Sequence, residues 1–130
     1  MGRGRVEHDE ITLTVPRERR FYPVAHLVLG GLAVRLNLTL ENLEDLQVAL
    51  AGVLERADSS NEVTVRMRVL DRQLEAELGP FDGAGLHDDL EREPGNELSL
   101  RRILDTVVDD VQVETREDGT WVVLRKVLPE

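Results

Sequence analysis

Two stretches of this 130-residue chain alternate apolar and polar residues, reverse over a short polar link, and alternate again. In the first, Val63, Val65, Met67 and Val69 are interleaved with Thr64, Arg66 and Arg68. After Asp71-Arg72-Gln73 the pattern resumes, with Leu74, Ala76 and Leu78 set against Glu75 and Glu77. In the second, Val111, Val113 and Thr115 lead through Glu117-Asp118-Gly119 to Trp121 and Val123–Val127. Successive side chains of a strand point to opposite faces, so such alternation gathers apolar residues on one face of a sheet. Links this short suit antiparallel pairing, and Asp-Gly between alternating segments is a strong hairpin signal. Two hairpins commit the chain to a largely antiparallel sheet with an apolar face that must be covered.

The cover is also legible. Pro23 predicts a helix start, since proline is tolerated in a first turn, and Val24, Leu27, Val28, Leu32 and Leu36 recur at helical spacing. Gly30 and Gly31 each weaken that helix by roughly 1 kcal/mol relative to alanine, which predicts close packing there. Thr39 is the expected N-cap of a second helix, with Glu41, Glu44 and Asp45 complementing its dipole. Leu43, Leu46, Leu50, Val53, Leu54 and Ala57 form its apolar stripe, and Asp58-Ser59-Ser60-Asn61 ends it. A third helix carries Leu100, Ile103, Leu104, Val107, Val108 and Val111, with Asp109-Asp110 at its end. Ile11, Leu13 and Val15 alternate with Thr12 and Thr14 as a half-buried opening strand that Pro16 closes. Gly79 to Asn96 is the long irregular stretch, with room for a short helix around Leu86–Leu90, and a loop of that length is functional or mobile. The element order predicts an α+β, two-layer sandwich whose mixed, mostly antiparallel sheet is covered by helices on one face. Residues 1–9 read as a flexible terminus and 10–130 as one domain.

Composition bounds the function. With 41% apolar and 32% charged residues the chain reads as soluble and globular, and 3% aromatic content leaves an aliphatic core. A net charge of −10 argues against nonspecific nucleic-acid binding, which needs Lys and Arg to displace counterions, and favours a basic partner. There is no cysteine, hence no disulfide framework and no thiolate nucleophile, in keeping with the cytoplasm. No apolar signal core follows Met1-Gly2-Arg3-Gly4-Arg5, and Val24 to Leu36 is too short and interrupted to span a bilayer. His8, His26 and His87 lack metal-ligand spacing, and Asp88-Asp89 with Glu91 and Glu93 reads as a solvated loop. Walker, nucleophile-elbow and zinc signatures are missing. Trp121 is expected on the sheet, packed against a helix.

Four segments, in order, resemble the anti-sigma-factor serine/threonine kinases of the GHKL (histidine-kinase-like) ATPase superfamily. They are the opening strand Ile11–Pro16, the paired helices around Gly31–Leu36 and Glu44–Ala49, the central hairpin Val63–Leu78, and Leu98–Val111. Together they span roughly residues 10–128. The resemblance implies a GHKL-like fold with ATP and magnesium as the family's cofactors. It also implies a Glu acting as base toward the attacking hydroxyl, and four residues later an Asn holding magnesium. Here those positions are Gly52 and Arg56. Glycine cannot act as a base, and a guanidinium has no acceptor for a cation, although Arg56 could bind phosphate directly. The family's adenine-reading Asp falls at Pro80. The nearby Asp82-Gly83-Ala84-Gly85 has its glycines one residue too close. The phosphate loop before the last helix retains Gly95, but Asn96-Glu97-Leu98-Ser99 lacks the second glycine.

No catalytic residue and no metal ligand is therefore expected. Arg56, Asp82, Gly83, Gly85, Gly95 and Ser99 mark what is left of the nucleotide pocket, and ATP with magnesium would bind only if that pocket still works. The leading reading is a bacterial, cytoplasmic regulatory module that contacts a sigma factor or an anti-anti-sigma protein, without nucleic acid or membrane. The resemblance also implies a homodimer, with the exposed face of the first helix, near Glu18 to Arg35, as its interface. One alternative is an active kinase that uses Asp82-Gly83-Ala84-Gly85 for adenine and Glu44, Asp45 or Glu55 as base. Another is a structural or scaffolding domain.

Overall fold

A computed structural model describes residues 10–36, 38–56, 62–81 and 100–128. The strands are β1 (Glu10–Pro16), β2 (Glu62–Leu70), β3 (Gln73–Phe81), β4 (Asp110–Arg116) and β5 (Gly119–Val127). The helices are α1 (Tyr22–Leu36), α2 (Leu40–Arg56) and α3 (Leu100–Val107), with a single 3-10 turn, Arg19–Phe21, before α1. The strands form one sheet in the order β1-β2-β3-β5-β4. Every pairing among the described strands is antiparallel, so the sheet is not mixed as expected. Both predicted hairpins form. Asp71 and Arg72 make the first turn with φ of 51° and 73°, the left-handed pair that matches the twist of the flanking strands. In the second, Arg116 pairs with Gly119 across Glu117-Asp118.

One face of the sheet carries the helices. Leu29 and Leu32 of α1, Leu46, Leu50, Val53 and Leu54 of α2, and Leu100 and Leu104 of α3 are buried against Val65, Met67, Leu74, Leu78, Val122 and Leu124. α3 stops at Val107, and Asp110 already belongs to β4, so Val111 serves the sheet rather than a helical stripe. The only lysine, Lys126, ties the layers together. Its Nζ donates to the Val107 carbonyl at 3.0 Å and lies 3.3 Å from Asp45 Oδ2, placing a cation at the C-terminal end of α3, where the helix dipole favours it.

The other face has no helix among the described residues and is closed by charge. Glu75 and Glu77 of the central strand β3 are each only 5% exposed. Arg68 and Arg125 bond Glu75 at 2.8 and 3.0 Å, while Arg66 and Arg116 bond Glu77 at 3.0 and 3.3 Å. Trp121 belongs to this face and not, as expected, to the helix layer. Its ring lies beneath the guanidinium groups of Arg66 and Arg116, and its Nε1 donates to Asp118 at 2.8 Å. The ring also rests on Gly79, where an added Cβ would fall 2.6 Å from Trp121 Cδ2.

Burial pushes the Glu75 carboxyl up, but the hydrogen bonds and charges of Arg68 and Arg125 outweigh it and hold the group below its ordinary value of 4.5. A depressed carboxylate contributes stability that is complete above the unfolded pKa and is lost as pH falls through the folded one. Glu75→Gln is expected to cost about 1–2 kcal/mol at pH 7, since Arg68 and Arg125, both part-exposed, lose a buried anionic partner and keep Glu77 and Asp110 as close ones. In urea titrations that difference should shrink below pH 4.5, and a difference constant down to pH 3 would refute the assignment. Gly79→Ala should lower stability by about 1–3 kcal/mol, because the indole must move. An unchanged melting temperature would show that the Trp121 contact is loose.

Candidate functional site

The site is built on α2. Thr39 caps it as expected, its Oγ1 accepting from the Asn42 N–H at 3.0 Å, which fixes the helix start. Gly52 is buried one turn from the other end. A Cβ built on Gly52 would lie 3.3 Å from Leu100 Cδ1 and 3.9 Å from Ile103 Cγ2. The first turn of α3 thus packs onto α2 at the position that the resemblance assigns to the base. Leu100 is fully buried there, so a carboxylate at position 52 would meet hydrocarbon and lose its hydration.

The other expected pocket residues are not brought together by the described structure. Arg56 closes α2, but its side chain lies outside the described residues, as do Asp82, Gly83, Gly85, Gly95 and Ser99. The same holds for His8, Ala57, His87, Asp88 and the segment Leu86–Leu90. Pro80 is the penultimate residue of β3, beside the register shift between Leu78 and Phe81.

The candidate replacement bases lie elsewhere on α2. Asp45 is bound to Lys126. Glu55 lines a cleft of about 300 Å³ with Arg19, Tyr22, Pro23, His26 and Ala51. Glu44 lines a second cleft of about 480 Å³ with His26, Gln47, Val48 and Ala51. Neither cleft includes Gly52 or any residue of α3. Sequence reasoning missed these clefts, although Glu44, Val48, Ala51 and Glu55 form a second stripe at spacings of four, three and four residues.

α1 also departs from expectation. An added Cβ at Gly30 or Gly31 would meet nothing within 4 Å, so neither glycine serves packing inside the described chain. The surface beside them is apolar: Leu27 is 75% exposed, Val34 79%, and Val24 is exposed as well. Among the described residues no helix is long and apolar enough to cross a membrane.

No family model matches the chain. Among known proteins it is similar to the serine-protein kinase RsbW of Listeria monocytogenes serovar 1/2a, at 27% identity over 95% of this chain and 90% of the relative. It is equally similar to the serine-protein kinases RsbW of Bacillus velezensis and Bacillus subtilis strain 168, at 27% identity over 92% of this chain and 86% of each relative. With this near end-to-end similarity, and an antiparallel sheet under three helices consistent with a GHKL-like sandwich, the chain is a distant homologue of the RsbW serine-protein kinases.

Proposed function

We propose that this chain is a cytoplasmic regulatory module of the anti-sigma type that acts by contact and has given up phosphotransfer. The observation that carries this is Gly52, buried against Leu100 where the kinase base would stand. No carboxylate of α2 beside it offers a substitute, since Asp45 is bound to Lys126 and Glu44 and Glu55 line the clefts toward α1. In this reading Arg56, Asp82, Gly83, Gly85, Gly95 and Ser99 are remnants of a nucleotide pocket, and the partner is a sigma factor or an anti-anti-sigma protein.

The module acts as a homodimer through α1. Val24, Leu27, Gly31 and Val34 recur at spacings of three, four and three residues on its exposed side. In an antiparallel pair with its two-fold axis level with Leu29, Leu27 of each copy opposes Gly31 of the other, and Val24 opposes Val34. Such a large-on-small register supports a self-complementary interface. It would also give the two glycines, which together cost roughly 2 kcal/mol of helix stability, a packing role between copies.

Calorimetric titration with ATP and magnesium is expected to give no binding at micromolar concentrations. Micromolar affinity would overturn the abandoned-site reading. Gly52→Glu should destabilise the fold by about 2 kcal/mol or more, since it overpacks Leu100 and buries a charge. Combined with Arg56→Asn it should still not phosphorylate an anti-anti-sigma protein, and recovered phosphotransfer would show the remaining loops to be competent. Leu27→Asp should convert a sedimenting dimer to monomer with an unchanged fold, and a dimer that persists would place the interface elsewhere.

A further inference from the structure

The two clefts on the α1 side of α2 share His26 and Ala51 and so form one groove. Along its α2 wall run Glu44, Val48, Ala51 and Glu55, a stripe on one side of the helix. The middle of the stripe is apolar, and Val48 is 46% exposed. Its ends are carboxylates about 16 Å apart at 1.5 Å rise per residue. Several carboxylates elsewhere are bound: Glu75, Glu77, Glu114, Asp105 and Asp110 each hold an arginine, and Asp45 holds Lys126. Glu44 and Glu55 have no ion-pair partner among the described residues. An apolar floor between two unneutralised acids is the complement of an amphipathic helix with cations at both ends of its apolar stripe.

We propose that this groove receives such a helix from a protein partner. Apolar residues of the guest cover Val48 and Ala51, and a lysine or arginine reaches each of Glu44 and Glu55. Arg19 lines the Glu55 end from the α1 side, so a uniformly cationic guest is repelled there and selection rests on pattern rather than on total charge. The net charge of −10 steers such a guest toward the protein from a distance. This inference rests on the protein-binding reading above but is tested apart from it.

The probe is a synthetic helical peptide of about four turns, with a leucine–alanine stripe and one lysine at each end of it. The control is a scrambled peptide of identical composition. Titrated into the isotopically labelled full chain, the probe should shift amide resonances of α1 and α2 along the groove. The scrambled peptide should bind about tenfold more weakly, and the double variant Glu44→Lys/Glu55→Lys should lose about tenfold in probe affinity with an unchanged melting temperature. Equal binding of the scrambled peptide, a loss under twofold in the double variant, or shifts centred outside the groove would overturn the proposal. If the probe behaves as expected while no sigma factor or anti-anti-sigma protein binds, the partner assigned above falls and the groove stands. If those proteins bind equally to wild type and double variant, the groove is not their site.

Discussion

Among the described residues the sheet carries helices on only one side, and the ion lattice around Glu75 and Glu77 closes the other to water. Both carboxylates sit on the central strand, with arginines from β2, β4 and β5 folded over them. The guanidinium groups of Arg66 and Arg116 lie over the Trp121 ring, and all four arginines stay partly exposed. The lattice therefore stands where a second helical layer would otherwise be needed. It frees the three described helices to pack on one face, where α2 is held between α1 and α3.

That arrangement explains why a single glycine matters. α2 and α3 approach closely enough at Gly52 that Leu100 meets the helix backbone. A catalytic side chain and this interhelical contact compete for the same volume. In the proposed reading, the glycine at position 52 and the close docking of α3 are two descriptions of one packing choice. The neighbouring carboxylates of α2 do not fill the gap, because the 3.6-residue period turns Glu44 and Glu55 toward α1 and Asp45 toward Lys126.

Much of the fold was legible because alternation and helical spacing are local signals that tertiary packing reinforced. The Thr39 cap, the Pro16 stop and both hairpin turns rest on backbone chemistry that needs no distant partner. The misreadings have the opposite origin. Trp121 looked like a helix-packing residue because its hydrophobicity says nothing about which face it occupies. Its register opposite Glu114, one residue out of phase with the buried Val122 and Leu124, puts it among the arginines. The glycines of α1 looked like an internal close approach, yet the space beside them is open. The end of α3 was read too late because valines suit a helical stripe and a strand equally well.

By itself the sequence determined the element order, the antiparallel hairpins and the glycine and arginine at positions 52 and 56, since each follows from residue identity and short-range geometry. Tertiary structure alone decided where the freed surfaces lie. It set Gly52 against Leu100, folded four arginines over two buried carboxylates, left Leu27 and Val34 facing solvent, and opened a groove ending at Glu44 and Glu55. The physical reason is that burial and pairing depend on which elements meet across the fold. The period of a helix or strand fixes which residues share a face, but it does not say what that face will touch.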